Sequence, residues 1–152
     1  MLIGCGYNPD DSYALLEQFL QLRHEVEFFA DAVPALRRLS ERYPLVTITN
    51  GNADIERLGI AQFFAGHISA SSAGILKPDP RIFELACQML KEDPGAVLHV
   101  GDHPVDDVLG ALDAGFQVAW INRCADVWTH ERQPHAEVQN LIELVDLLDA
   151  AN

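Results

Sequence analysis

The sequence is poor in basic residues, and it has neither a paired-cysteine motif nor a long apolar run. Ten Lys and Arg stand against 23 Asp and Glu in 152 residues, a formal net charge of −13. This balance disfavours nucleic acid or an anionic membrane as a partner, because either needs a basic face. Cys5, Cys87 and Cys124 form no Cys-x-x-Cys motif, which indicates reduced thiols. With no membrane-length segment and no signal-peptide pattern, we expect a soluble cytoplasmic protein.

The hydrophobic pattern alternates between helical and strand periods. Apolar residues at three- and four-residue steps predict helices at residues 11–30, 33–43, 55–58, 80–90, 106–114 and 138–148. Short apolar runs predict strands at residues 45–49, 67–69, 97–100 and 118–121. Strands that alternate with helices form parallel sheets through right-handed crossovers, so the predicted fold class is α/β, a three-layer α/β/α Rossmann-like sheet. The helices ahead of the first strand indicate a separate small lobe.

Polar residues stand where the predicted strands end. Thr49 and Asn50 offer a hydroxyl and a backbone amide to a phosphoryl oxygen, although Asn-Gly after a strand is also an ordinary turn. Lys77 precedes Pro78, which favours extended backbone at the lysine and keeps its side chain clear of the next helix. The alternative for Lys77 is a solvated surface lysine. Because ligands bind at the carboxyl ends of parallel strands, we expect Thr49, Lys77 and Asp102 to converge at one edge.

Three aspartates, Asp102, Asp106 and Asp107, follow the strand predicted at residues 97–100. Helix capping accounts for one or two of them. Three carboxylates in one loop repel each other unless a cation is present. Mg²⁺ typically takes one or two carboxylates together with water and substrate phosphate, so this cluster favours a Mg²⁺ site.

Taken in order, these segments resemble the haloacid dehalogenase-like hydrolase superfamily, specifically its phosphatases, over nearly the whole chain. The segments similar to its second, third and fourth motifs are Thr49-Asn50, Lys77-Pro78-Asp79-Pro80 and Gly101-Asp102-His103-Pro104-Val105-Asp106-Asp107. The resemblance implies a Mg²⁺-dependent attack by an aspartate on a small-molecule phosphate monoester. The resulting aspartyl-phosphate is then hydrolysed by water.

The resemblance also implies a role for each matching residue. Thr49 and the Asn50 amide hold phosphoryl oxygens, Lys77 offsets the charge of phosphate and nucleophile, and Asp102 binds Mg²⁺. Asp107 is a further ligand of the metal or a partner of the lysine, and Asp106 is the alternative for this second acidic position. Thr49, Lys77, Asp102 and Asp107 are therefore the candidate catalytic residues.

One family motif has no counterpart in this sequence. Asp-x-Asp-x-Thr or -Val, which supplies the nucleophile and the acid/base aspartate, does not occur; Asp10-Asp11 is adjacent and is interpreted as a helix cap. The chain resembles the family without its amino-terminal segment, with residues 1–32 as the remnant of a helical cap and 33–152 as the α/β core lacking its first strand. We expect the chain alone to be inactive, and residues 2–3 or a second copy, as a homodimer, to fill the missing central strand.

Three alternatives compete with the phosphatase. A non-catalytic remnant or regulatory binding protein has the same fold, and an in-frame Asp-x-Asp-x-Thr upstream of Met1 would argue against it. A haloacid dehalogenase shares the fold and the aspartate nucleophile but needs no metal, so the carboxylate cluster argues against it. A phospho-receiver domain is excluded by residue order. In that family the acidic pair opens the chain and the lysine comes last, whereas here Lys77 precedes Asp102. Residues 101–107 and 116–123 look closest to phosphatases of flavin mononucleotide and related sugar or nucleotide phosphates.

The remaining histidines and tryptophans carry less information. His103 follows Asp102 and is placed to face the site, whereas His99 and the other histidines show no metal-ligand spacing and are expected to be structural or solvated. Trp120 lies in a predicted strand and is expected in the core. Trp128 lies in an irregular loop and is expected at the surface or at an interface.

Overall fold

The computed structural model describes residues 13–16, 18 and 25–151. The predicted helix cap at Asp10-Asp11 and the strand-filling role of residues 2–3 lie outside the described residues. Residues 13–16 are helical, as predicted, but residues 25–29 have no regular structure, so the helix predicted over residues 11–30 does not reach its expected end. The division into a cap remnant and a core stays a prediction.

Five strands and five α-helices make up the described part of the chain from residue 32 onward. The helices are α1 (Ala32–Ser40), α2 (Ala70–Ala73), α3 (Pro80–Leu90), α4 (Gly110–Asp113) and α5 (Leu141–Ala150). The strands are β1 (Val46–Thr49), β2 (Gly66–Ser69), β3 (Leu98–Gly101), β4 (Gln117–Ile121) and β5 (Ala136–Val138). Short 3₁₀ turns lie at Ala61–Phe63 and Pro94–Ala96, and a π-helical turn, Pro104–Leu109, leads into α4.

All strand pairs in the described part of the chain are parallel. The β1 and β2 strands form one sheet, with Thr49 opposite Ser69, and β3, β4 and β5 form a second, with Gly101 opposite Trp120. Within the described residues, β1 and β3 are not hydrogen-bonded to each other. The α/β class with a parallel sheet is confirmed.

Strand β4 shows why helices cover both faces of the sheet. Successive strand side chains point to opposite faces. Trp120 packs in the cluster that contains Phe83 of α3, whereas Ala119 packs in the cluster that contains Leu144 of α5. Leu39 of α1 packs with α5 on that second face. The helices α3 and α5 therefore lie on opposite sides of the strands, in the predicted three-layer arrangement.

Several predicted boundaries are wrong, each for a local reason. The segment 55–58 is a turn that ends at Gly59, whose φ is 70°, rather than a helix. The last helix begins at Leu141 instead of residue 138, because Asn140 is its N-cap and accepts a hydrogen bond from the Glu143 amide. Residues 136–138 form β5, a strand that the sequence pattern did not predict.

The helix predicted at residues 106–114 starts earlier and is wider in its first turn. The amides of Asp107 and Val108 both donate to the carbonyl of His103, at 3.0 and 3.2 Å. The ring Nδ1 of His103 accepts from the Asp106 amide at 3.0 Å. These bonds hold the π-helical turn, and the chain leaves α4 at Gly115, whose φ of 85° matches the left-handed cap predicted there.

Across the described residues, no helix is both long enough and apolar enough to span a membrane. Cys87 is half-buried and Cys124 is exposed, and both are free thiols. Burial raises the pKa of the Cys87 thiol, and the negative charges of Asp93 and Glu84 raise it further.

Candidate active site

The side chain of Asn50 joins the end of β1 to the lysine segment. Its Oδ1 accepts from the backbone amide of Lys77 at 2.7 Å, and its Nδ2 donates to the Lys77 carbonyl at 2.9 Å. The same Nδ2 lies 3.4 Å from Oδ2 of Asp106. One amide side chain thus satisfies both backbone groups of Lys77. The sequence indicated a role only for the backbone amide of Asn50 and missed this use of its side chain.

Lys77 is held inside the site by two acceptors. Its Nζ donates to Oδ1 of Asp107 at 2.5 Å and to the carbonyl of Ile48 in β1 at 3.0 Å. The side chains of Lys77 and Asp107 are 12% and 7% exposed. The alternative of a solvated surface lysine is therefore wrong, and the ammonium group lies beside the end of β1.

Asp107 accepts hydrogen bonds on both carboxylate oxygens. Besides Lys77, Oδ1 lies 3.2 Å from Nε2 of His99, and Oδ2 accepts from the His103 amide at 3.0 Å. Burial by itself raises the pKa of this carboxyl group, but the hydrogen bonds from His99 and Lys77 and the charge of Lys77 outweigh it. The pKa of Asp107 is consequently held well below its usual range, so the carboxylate stays ionised beside the lysine.

His99 is a site residue that the sequence did not identify. It is 9% exposed, and its ring packs edge-on against Phe83 with 5.2 Å between ring centroids. His99 and Gly101 are two residues apart in β3 and therefore point to the same face. A Cβ at Gly101 would overlap the Asp107 carboxyl group, so that carboxylate lies directly against this face. The position of His99 in the strand, two residues before Gly101, was the signal in the sequence that could have identified it.

The remaining predicted residues lie around this group. Thr49 ends β1, and its Oγ1 accepts a hydrogen bond from the amide of Gly51 at 3.0 Å. This bond belongs to a turn after the strand, which was the alternative to phosphate binding for Thr49 and Asn50. Asp102 directly follows β3 and is exposed, and the Asp106 side chain is 36% exposed. The structure thus joins Asn50, Lys77, Asp106 and Asp107 by direct hydrogen bonds.

The carboxylates suit a hard cation in type but are few in number. Among the described residues, no cluster of three or more His, Cys, Asp or Glu is arranged to hold a metal ion. Both oxygens of Asp107 are already bonded, which favours its role as the partner of Lys77 over that of a metal ligand. Asp102 and Asp106 remain as oxygen donors, a number that fits Mg²⁺ completed by water and phosphate.

A family model for haloacid dehalogenase-like hydrolases matches residues 8–115. The chain belongs to this family. One curated relative is the 5-amino-6-(5-phospho-D-ribitylamino)uracil phosphatase YigB of Escherichia coli, 32% identical over 155 residues that cover 97% of this chain and 65% of the relative. The chain therefore spans less than two thirds of the length of that relative.

Solved structures of the family share the fold. The structure of a 2-haloacid dehalogenase from Pseudomonas syringae matches with a TM-score of 0.91 and 41% identity, over 99% of this chain and 67% of that one. The HAD-hydrolase YfnB from Bacillus subtilis, solved bound to magnesium, matches with a TM-score of 0.80 and 25% identity, over 97% of this chain and 68% of that one. Phosphatases and dehalogenases both occur among the relatives, and both are hydrolases.

Proposed function

We propose that this chain carries the phosphate- and metal-binding part of a Mg²⁺-dependent phosphatase that acts on small-molecule phosphate monoesters in the cytoplasm. The observation that carries the proposal is the buried Lys77–Asp107 ion pair at the end of β1. The carboxylates of Asp102 and Asp106 follow strand β3, and that of Asp106 is hydrogen-bonded to Asn50. A fixed cation beside oxygen donors for a second cation is what phosphoryl transfer requires, since its catalysis is mainly positioning and charge stabilisation.

Each residue has a part in this proposal. The Lys77 ammonium, already bonded to the carbonyl of Ile48, offsets negative charge on the phosphoryl group. The Thr49 hydroxyl and the Asn50 amide bind phosphoryl oxygens. Asp102 and Asp106 would hold Mg²⁺, which when bound supplies charge neutralisation at the phosphate. In a protein that also carries the nucleophile motif, the reaction would run through an aspartyl-phosphate; without an Asp-x-Asp motif, this chain alone is expected to be inactive.

Mg²⁺ titration of the chain by calorimetry at pH 7, with and without inorganic phosphate, tests the metal site. We expect weak binding that phosphate strengthens and that Asp102→Asn abolishes. Asp113→Asn is the matched control, because Asp113 is exposed and paired with Arg132 away from the site. Tight binding that survives Asp102→Asn would refute the proposed site.

A haloacid dehalogenase is the second candidate, favoured by the 41% identity to the Pseudomonas syringae dehalogenase structure. Dehalogenation needs no cation beside the lysine, so this candidate gives the carboxylates of Asp102 and Asp106 no role in the reaction. Hydrolysis of an aryl phosphate and chloride release from 2-chloropropionate, each with and without Mg²⁺, distinguish the two in a longer protein that carries the nucleophile. Robust turnover of the aryl phosphate by this chain as a monomer would contradict the proposal of inactivity.

We also propose that a second copy of the chain supplies a strand between β1 and β3. Within the described residues these two strands have no common partner, and an unpaired strand edge presents free N–H and C=O groups that recruit another strand. Light scattering measures the outcome directly. A dimer mass that persists on dilution supports this proposal, and a monomer mass contradicts it. A non-catalytic dimer that binds neither Mg²⁺ nor phosphate would instead support a regulatory role on the same fold.

A further inference from the structure

The indole of Trp120 reaches beyond the sheet to the residue that follows β3. Trp120 lies in β4, is 2% exposed, and pairs with Gly101 at the last position of the β3–β4 register. Its side-chain Nε1 donates to the carbonyl of Asp102 at 2.9 Å. The side chain thus continues the attachment of β3 to β4 by one residue after the backbone pairing ends.

The peptide of Asp102 lies between two residues that contact the Asp107 side chain. Gly101 is packed against the Asp107 carboxyl group, and the His103 amide donates to it at 3.0 Å. With the Asp102 carbonyl bound by the indole and the His103 amide bound by Asp107, the backbone is held at the residue and directly after it. The exposed carboxylate of Asp102 then has only its own side-chain rotations left.

Trp120 has aromatic neighbours. Trp128 packs edge-on against it, with 4.9 Å between ring centroids, and His130 packs against Trp128 at 5.1 Å. Trp128 has a comparable bond of its own, since its Nε1 donates to the carbonyl of Arg132 at 3.0 Å. The two indoles therefore bind different carbonyls: that of Trp128 binds Arg132 in a loop, and that of Trp120 binds the backbone of Asp102.

We propose that Trp120 is a positioning residue that fixes the Asp102 peptide, so that the carboxylate is preorganised for a divalent cation. This inference rests on the proposed function for its consequence, cation binding, but not for the ordering of the Asp102 backbone. A buried indole also needs a hydrogen-bond partner merely for stability. A purely structural role predicts a less stable protein, with the order of residues 102–103 and the metal affinity unchanged.

The test compares Trp120→Phe with Trp128→Phe, because each change removes one indole N–H bond to a backbone carbonyl. Amide hydrogen exchange at Asp102 and His103, measured by NMR without metal, decides the positioning role. We expect exchange at these two amides to rise about 3- to 10-fold in Trp120→Phe, the range that one net hydrogen bond corresponds to, and to stay unchanged in Trp128→Phe. Unchanged exchange in folded Trp120→Phe overturns the inference.

Mg²⁺ affinity gives the second readout. Trp120→Phe should weaken Mg²⁺ binding about 3- to 10-fold, and Trp128→Phe should bind like the wild type. If Asp102→Asn binds Mg²⁺ as the wild type does, the proposed metal site fails, while the exchange data still decide whether Trp120 orders the Asp102 backbone. Wild-type metal affinity in Trp120→Phe overturns the cation part of the inference.

A third measurement avoids changing Trp120. The sequence has two tryptophans, so Trp128→Phe leaves Trp120 as the sole indole signal. We expect this N–H signal to exchange slowly and to shift on Mg²⁺ addition or in the double variant with Asp102→Asn. A rapidly exchanging signal that neither change moves would overturn the inference even where Trp120→Phe does not fold.

Discussion

Breaking the Lys77–Asp107 pair tests whether it anchors the site. Asp107→Asn keeps the shape of the side chain but leaves the Lys77 ammonium, only 12% exposed, without its carboxylate partner. Removing one member of a buried ion pair typically costs about 3–5 kcal/mol. The exposed pair of Arg132 and Asp113, with side chains 51% and 63% exposed, is the control, and Asp113→Asn should cost about 0–1 kcal/mol.

A double-mutant cycle separates the pair from its surroundings. Lys77→Met should also cost about 3–5 kcal/mol, because it leaves the buried Asp107 charge to His99 and the His103 amide. In the double variant neither charge is left unpaired, so its cost should be smaller than the sum of the single costs by about 2–3 kcal/mol. Urea unfolding followed by circular dichroism at pH 7 gives each free energy of unfolding. Additive costs, or equal values for Asp107→Asn and Asp113→Asn, would refute the reasoning.

The remaining predictions concern acid, close packing and the core. Folding lowers the pKa of Asp107, so the stability that its carboxylate contributes is fully present above the unfolded pKa of about 3.9 and is lost as the pH falls further. The difference in unfolding free energy between wild type and Asp107→Asn should therefore be constant from about pH 5 to 7 and shrink below about pH 4. Gly101→Ala should cost about 1–3 kcal/mol in urea unfolding, because the new Cβ would overlap the Asp107 carboxyl group. Gly95→Ala, where the added Cβ meets open space, should change stability by less than about 1 kcal/mol. Equal effects would contradict the close approach of the Asp107 carboxyl group to Gly101. Phe83→Ala should cost about 3–5 kcal/mol and lower the Tm, since Phe83 is fully buried. Phe29→Ala should cost far less, because Phe29 is exposed. Similar losses of stability would show that Phe83 does not lie in the core.

Much of the local structure follows from the order of residue types along the chain. The Asp79-Pro80 start of α3 is an example: the Asp79 side chain accepts from the Arg81 amide, as its N-cap position predicts. Strand β1 and the left-handed Gly115 are also correctly predicted, because a β-branched run and a glycine after a helix act through their own backbone. The parallel sheet follows from the alternation of such elements. Local signals of this kind need no partner elsewhere in the chain.

Contacts between distant residues carried no such signal. Lys77 and Asp107 are 30 residues apart, and Asn50 and Asp106 are 56 apart. The sequence placed these residues at strand ends but could not show that the Asn50 side chain binds the Lys77 backbone. Nor could it show that both carboxylate oxygens of Asp107 are bonded, one to Lys77 and His99 and the other to a backbone amide. A hydrogen bond across elements depends on how the helices pack on the sheet.

The short elements show the same division. Strand β5 has three residues, too few for a periodic pattern, and it exists because Ala119 and Ile121 of β4 offer it a parallel edge. The indole bond of Trp120 likewise depends on the β3–β4 register, which brings Trp120 beside Gly101. The sequence by itself determined most of the longer strands and helices and the polar residues that follow the strands, because those choices depend on local backbone preference and on which side chains avoid water. The tertiary structure alone decided which polar groups meet, because a buried donor takes whatever acceptor the packing of distant segments brings within reach.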